Sequence, residues 1–167
     1  MHIFCASFPP IIDENARVLV LGSMPGAASL AAREYYAHPR NVFWPILFGL
    51  WGLPPEADYQ KKIDHVLSRG VAIWDVAKTC YREGSGDATI RDAQINDFAA
   101  LFVCYPRIHK VFFNGRLAES LFTRYCKEAA GNRAHVPLPS TSPAYTLPFE
   151  RKIEAWRVVR AAAEMET

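Results

Sequence analysis

Short apolar runs that alternate with helical stretches constrain the fold of this chain more than any other feature of its sequence. The run Val18-Leu19-Val20-Leu21 is continuous and is closed by Gly22, a pattern typical of a strand buried on both faces of a parallel sheet. Similar short runs predict strands over residues 71–74, 111–113 and 135–138. This alternation predicts an α/β fold, a three-layer α/β/α sandwich with a four-stranded, mostly parallel central sheet.

Helical stretches are predicted between and after these strands. They cover residues 26–33, 42–50 and 55–69, a stretch from Gly115 to about Cys126, and a closing helix at 149–164. Asp92 or Asn96 is expected to cap a further helix that runs through Phe102. Residues 82–89 are polar and contain glycine, so we expect a loop there. The length of the chain predicts one domain over residues 1–167.

The composition is that of an ordinary globular protein. Apolar residues make up 50% and charged residues 22% of the chain, which excludes intrinsic disorder. The formal charge is only +2, so overall charge permits nucleic-acid binding without arguing for it. Any case for DNA binding therefore rests on where particular side chains lie.

The sequence also predicts where the protein is located and whether it binds a metal or cofactor. We expect a cytoplasmic protein, because no apolar run is long enough to cross a membrane and the N-terminus does not resemble a secretory signal. The four cysteines are far apart and form no C-x-x-C pair, so we expect free thiols and neither a metal site nor a cofactor.

Four segments follow the predicted strands and should meet at one edge of the sheet, where parallel sheets bind ligands. They are Gly22-Ser23-Met24-Pro25-Gly26, the residues from Asp75 onward, Asn114-Gly115, and Pro139-Ser140-Thr141-Ser142-Pro143. The first is neither a P-loop nor G-x-G-x-x-G, and taken alone it is an ordinary strand-to-helix turn. Taken alone, the hydroxyl-rich fourth segment is a Ser/Thr turn, although hydroxyls and loop N–H groups also bind phosphates.

The segment from Tyr35 to Trp44 places aromatic rings beside His38, Arg40 and Asn41. Aromatic faces hold unpaired bases by stacking, and Arg40 is suited to a phosphate. Phe43 and Trp44 are expected to begin a buried helix. Tyr36 and Asn41 lie outside that helical stripe, so they are the candidates for a functional role.

These motifs together resemble the uracil-DNA glycosylase superfamily over roughly residues 15 to 160. Gly22 to Gly26 resembles the G-I-N-P-G motif of the mismatch-specific uracil/thymine glycosylases, and Tyr36 to Trp44 resembles their aromatic-x-H-P-x-N-x-F-W segment. Phe113 to Arg116 resembles their F-N-G-K, and Leu138 to Pro143 resembles their M-P-S-S-S or L-P-N-P-S motif. The four matches come in the family's order along the chain.

One departure identifies the branch that the chain resembles. The first motif of those relatives has Asn or Asp at its third position, where it positions the attacking water, and this chain has Met24. A thioether can neither ionise nor hold water firmly. This combination is similar to the hypoxanthine-DNA (deoxyinosine) glycosylases, in which the resemblance implies that Asn41 takes over catalysis.

The resemblance implies an enzyme that extrudes a deaminated base from duplex DNA and hydrolyses its N-glycosidic bond in base excision repair. Its base-binding residues would be Gly22, Ser23, Met24, Pro25, Gly26, Tyr36, Asp75 and Asn114. Its phosphate-binding and intercalating residues would be Arg40, Ser140, Thr141, Ser142, Pro143 and Ala144. No lysine falls in the motifs, so we expect no lyase step, and the family implies a monomer.

Several alternatives remain open from the sequence. The nearest is a mismatch-specific uracil/thymine glycosylase, which differs in substrate alone. A non-catalytic nucleic-acid-binding domain is compatible with Met24, and a small-molecule hydrolase is compatible with the fold. For Asp75, a helix cap competes with a role in reading the base.

Overall fold

The computed structural model describes residues 1–166. Its strands are β1 (Ile3–Ala6), β2 (Val18–Gly22), β3 (Val71–Asp75), β4 (Ala77–Arg82), β5 (Arg91–Ile95), β6 (Lys110–Asn114) and β7 (Ala134–Leu138). Its α-helices are α1 (Ala27–Ala32), α2 (Phe43–Gly49), α3 (Tyr59–Ser68), α4 (Phe98–Cys104), α5 (Arg116–Tyr125) and α6 (Phe149–Ala163). A short 3-10 turn covers Asp87–Thr89.

The central sheet has four parallel strands in the order β3-β2-β6-β7. All five residues of β2 are buried, because β2 lies between β3 and β6 and both of its faces are covered. The four predicted strands and the parallel sheet are therefore confirmed.

Helices cover both faces of this sheet and complete the three predicted layers. Val18 and Val20 pack in one core with residues of α2, α3 and α6. Leu19 and Leu21 pack in a second core with residues of α4 and α5. The side chains of a strand alternate between the faces of its sheet, so a continuous apolar run supplies both cores.

A second sheet, antiparallel and ordered β1-β4-β5, was not predicted. It corrects two expectations. Asp92 lies inside β5 and caps no helix, and Asn96 is not the cap either, since α4 begins at Phe98 after the Asp97 carboxylate accepts a hydrogen bond from the Ala100 N–H. The predicted loop at residues 82–89 is the turn region between β4 and β5, with Arg82 still inside β4.

Residues 1–166 contain no helix that is long and apolar enough to cross a membrane.

Candidate active site

A cavity of about 660 Å³ opens at the carboxyl edge of the parallel sheet. Fourteen of the fifteen predicted site residues line it: Gly22, Ser23, Met24, Pro25, Gly26, Tyr36, Asn41, Asp75, Asn114, Ser140, Thr141, Ser142, Pro143 and Ala144. The exception is Arg40, an exposed residue next to Asn41 whose backbone N–H donates to His38 Nδ1. The parallel topology therefore brings together segments that are far apart in the sequence.

Residues 22–26, called the β2 loop from here on, approach Asp75 and Tyr36 so closely that only glycine fits at position 22. A Cβ on Gly22 would lie 2.5 Å from Asp75 Oδ1 and 2.9 Å from the Tyr36 hydroxyl. The Arg82 guanidinium donates to the Pro25 carbonyl at 2.6 Å. The β2 loop is thus fixed from both sides.

Met24 lies in the β2 loop at the border between the cavity and a small apolar cluster. It is 7% exposed and packs with Cys5, Ala77 and Cys80, all three on the second sheet. The thioether therefore contributes packing under the cavity, and it supplies no group that could hold a water.

Tyr36 presents one ring face to the cavity. Its ring stacks on Phe43, with centroids 3.8 Å apart, so only the opposite face is open to a base. The backbone of Tyr36 has φ +55°, which is uncommon for a residue with a side chain. Burial raises the pKa of the Tyr36 hydroxyl, so this group remains a neutral donor. Tyr35 belongs to the core instead, and its hydroxyl donates to the Pro9 carbonyl.

Asn41 is oriented by the start of α2. Its Oδ1 atom accepts a hydrogen bond from the Phe43 N–H at 2.9 Å. A carbonyl oxygen has two lone pairs, so one remains for a water, and both amide hydrogens remain as donors. The predicted burial of Phe43 and Trp44 is confirmed, and these rings anchor the segment that carries Asn41.

Asp75 is a buried carboxylate at the end of β3, only 3% exposed. Burial raises its pKa to about 7, the Arg82 cation opposes this shift, and the Asp87 carboxylate adds to it. Its Oδ2 atom has no hydrogen-bond partner within residues 1–166. The helix-cap alternative is wrong, because β4 begins at Ala77 and no helix follows Asp75.

Asn114 connects the end of β6 to residues 139–145, called the β7 loop from here on. Its Nδ2 donates to Thr141 Oγ1, and its Oδ1 accepts from the Thr141 N–H, both at 2.9 Å. The Asn114 amide also lies close enough to the Tyr36 hydroxyl to oppose the rise in the pKa of that hydroxyl. Asn114 therefore holds the β7 loop while it borders the cavity.

The β7 loop is braced further by its own hydroxyls and by a lysine. Ser140 Oγ accepts from the Ser142 N–H, and Ser142 Oγ accepts from the Ala144 N–H, which leaves both hydroxyl hydrogens available. The Lys152 ammonium, 3% exposed, donates to the Ser142 carbonyl at 3.1 Å. Lys152 also lies over the Tyr145 ring.

The residues between β4 and β5 form a wall of the cavity that sequence reasoning missed. Ser85, Gly86 and Asp87 line it. Ser85 Oγ accepts the Ala27 N–H at the start of α1, and Ser23 donates to Asp87 Oδ1 at 3.0 Å. The Gly84-Ser85-Gly86 sequence is the one signal that indicates a hairpin turn here.

Within residues 1–166, no three His, Cys, Asp or Glu side chains group closely enough to hold a metal ion. The chemistry that the cavity offers is that of a carboxylate, two amides, hydroxyls and an aromatic face. This set suits the recognition of a polar ring and the positioning of a water.

Comparison with known proteins identifies the family to which the chain is similar. The family model described as the uracil DNA glycosylase superfamily matches residues 9–163. A hypoxanthine DNA glycosylase of Methanosarcina barkeri is 40% identical over 110 residues, which cover 65% of this chain and 70% of that protein. A hypoxanthine DNA glycosylase of Methanosarcina acetivorans is 38% identical over 112 residues, 66% of this chain and 71% of that protein.

The fold comparison agrees with the sequence comparison. A solution NMR structure from Methanosarcina acetivorans, named as a candidate uracil DNA glycosylase, superposes with a TM-score of 0.84 at 32% identity. The superposition covers 98% of this chain and all of that one. The resemblance that the sequence motifs indicated is confirmed, and the chain belongs to the uracil DNA glycosylase superfamily.

Proposed function

We propose that this chain is a monofunctional glycosylase that removes hypoxanthine from deoxyinosine in duplex DNA, as the first step of base excision repair. Superfamily membership makes it a DNA glycosylase. The observation that supports the substrate is the buried Asp75 carboxylate at the cavity, together with relatives named as hypoxanthine DNA glycosylases. We also propose that the chain acts as a single domain and as a monomer.

The target base must leave the stack, because its glycosidic bond is unreachable inside a duplex. The free face of Tyr36 would then stack on the extruded ring. Hypoxanthine carries an N1–H next to a carbonyl at C6. The ionised Asp75 carboxylate would accept this N1–H, which adenine lacks, so Asp75 would separate the deaminated base from its parent.

Hydrolysis breaks the bond between the sugar C1′ and the base N9 and forms a bond between C1′ and a water oxygen. Positive charge develops on the sugar, and the departing base takes the electron pair. Asn41 would orient the water through the free lone pair of Oδ1, since an amide has no useful pKa as a base. Backbone N–H groups of the β2 loop would stabilise the negative base, as an oxyanion hole does.

The β7 loop would hold the DNA itself. The hydroxyl hydrogens of Ser140 and Ser142 suit phosphate oxygens, and exposed Arg40 suits a further phosphate. Pro143 and Ala144 would fill the gap that the extruded nucleotide leaves in the stack. The products would be free hypoxanthine and an intact strand with an abasic site.

The test is alkali cleavage of labelled duplexes that carry deoxyinosine, deoxyuridine or a G:T mismatch, under single-turnover conditions. Asn41→Ala should lower the rate at deoxyinosine about a hundredfold or more, with DNA affinity within a few-fold of wild type. Asn15→Ala is the matched control, because Asn15 is an exposed asparagine that lies before β2, at the opposite end of that strand.

Each other outcome has a defined meaning. Cleavage only at deoxyuridine or G:T would indicate a uracil/thymine glycosylase. This activity is our second proposal, because the solved structure that superposes on this chain is named as a candidate uracil DNA glycosylase. Binding of DNA without release of any base would favour a non-catalytic domain. Equal rates for Asn41→Ala and wild type would remove Asn41 from the mechanism.

A further inference from the structure

Arg82 is a buried cation with a single hydrogen-bond partner among residues 1–166. It is the last residue of β4 and is 1% exposed. Its Nη2 donates to the Pro25 carbonyl at 2.6 Å, while Nε and Nη1 have no partner within residues 1–166. A buried charge without a paired carboxylate destabilises the folded state, and an apolar side chain would avoid this penalty.

Arg82 and Asp75 border the β2 loop at two points, since Arg82 donates to the Pro25 carbonyl and Asp75 Oδ1 lies 2.5 Å from the Cβ position of Gly22. The guanidinium lowers the pKa of Asp75 against the effect of burial, and the Asp75 Oδ2 atom is also without a partner. The other ionisable group that acts on the pKa of Asp75 is Asp87, which follows β4. The Asp75 charge in turn raises the pKa of the Tyr35 and Tyr36 hydroxyls, which stay neutral. Among these groups around Asp75, Arg82 is the one that carries positive charge.

We propose that Arg82 is a positioning residue for base release, which holds the β2 loop through the Pro25 carbonyl and keeps positive charge behind the Asp75 carboxylate. This inference rests on the proposed function. The Pro25 bond fixes the loop whose N–H groups face the departing base. The cation also favours the ionised Asp75 that accepts N1–H, and it offsets the negative charge that the base acquires as its bond breaks.

Two substitutions separate these contributions. Arg82→Lys keeps the positive charge and Arg82→Gln removes it. Both side chains end short of Arg82 Nη2 and weaken the bond to the Pro25 carbonyl, so the difference between the two variants reports the charge. If ionised Asp75 is the active form, the single-turnover rate of hypoxanthine release rises with pH through the ionisation of Asp75. Arg82→Gln should move the midpoint of that rise upward by about one pH unit and lower the rate at pH 7 about fivefold. Arg82→Lys should keep the wild-type midpoint.

Arg17→Gln is the matched control. Arg17 also donates from Nη1 to a backbone carbonyl, that of Ala163, and its Nε is buried without a partner in the described chain. It precedes β2 and so lies at the opposite end of the sheet from Asp75. Its substitution should lower thermal stability and leave the pH midpoint unchanged.

A merely structural Arg82 would lower thermal stability in Arg82→Gln without moving the pH midpoint, and that result would overturn the inference. An Arg82→Lys midpoint that moves as far as that of Arg82→Gln would overturn the role of the charge. These failures differ from failure of the proposed function, in which the wild type would release no hypoxanthine at any pH.

Discussion

The β2 loop and the β7 loop border the same cavity, but different kinds of interaction hold them. The β2 loop lies against a buried arginine and a buried carboxyl group, Arg82 and Asp75, and it has no room for a side chain at Gly22. The β7 loop is held by neutral hydrogen bonds between Asn114 and Thr141 and, at its Ser142 carbonyl, by the Lys152 ammonium. We propose that the ionisable groups beside the β2 loop act on the reacting base, whereas the bonds within the β7 loop fix the shape of a surface that meets the DNA backbone. Changes in the β2 loop should therefore alter the rate of base release, and changes in the β7 loop should alter DNA affinity.

The largest effect is expected from Gly22→Ala. The new Cβ would collide with Asp75 Oδ1 and the Tyr36 hydroxyl, and both the Asp75 side chain and the Tyr36 hydroxyl oxygen are buried. The single-turnover rate of base release should fall a hundredfold or more, with only a few-fold change in DNA affinity.

Gly52→Ala is the control for this substitution. Gly52 has a left-handed backbone, with φ +69°, but unlike at Gly22 nothing lies within 4 Å of its Cβ position. Its substitution should cost about 1 kcal/mol of stability and leave the rate unchanged. A Gly22→Ala enzyme with the wild-type rate would show that the β2 loop tolerates distortion, and the contrast between the loops would fail.

The next effect concerns stability. Asp75 has a raised pKa of about 7, so the folded state holds a proton that the unfolded state has already lost between about pH 4 and pH 7. Stability is therefore lost as the pH rises through this window. Asp75→Asn should increase the free energy of unfolding at pH 8 by a few kcal/mol, although it removes the acceptor for the base.

Urea unfolding of wild type and Asp75→Asn at pH 8, 6 and 4 measures this effect. The gain in the variant should shrink as the pH falls and become small near pH 4, where the unfolded wild type also begins to hold the proton. A gain of the same size at every pH would mean that packing, and not ionisation, separates the two proteins. Ionisation of Asp75 beside the β2 loop would then have no measurable effect on stability.

Both loops could be predicted from the sequence, whereas the second sheet could not. Both loops follow continuous or nearly continuous apolar strands, and parallel strands bring their carboxyl ends to one edge, so their residues could be placed at the cavity in advance. The second sheet gave no such signal. The pairing of β4 with β5 is interrupted by two register shifts, and β5 is polar and largely exposed, so neither shows a clean alternation of apolar and polar residues.

Arg82 and Lys152 were missed for a related reason. Each occurs among other polar residues, where a long cationic side chain is ordinarily solvated. In the folded chain Arg82 is buried and donates to the Pro25 carbonyl of the β2 loop, and Lys152 is buried and donates to the Ser142 carbonyl of the β7 loop. These are contacts between distant segments, and no local pattern encodes them.

The smallest effect is expected from Thr141→Val, which tests the neutral side of the contrast. Thr141 is fully buried, and valine keeps its shape and both main-chain bonds, to Asn114 Oδ1 and from the Val42 N–H. Only the acceptor for Asn114 Nδ2 is lost. A hydrogen bond of this kind contributes about 1 kcal/mol, so DNA affinity should fall several-fold while the rate at saturating enzyme stays within about twofold of wild type. Thr123→Val, an exposed site on α5, makes the same chemical change as a control and should affect neither quantity. A fall in rate at unchanged affinity would place the β7 loop with the β2 loop in the chemical step, and the distinction between them would be wrong.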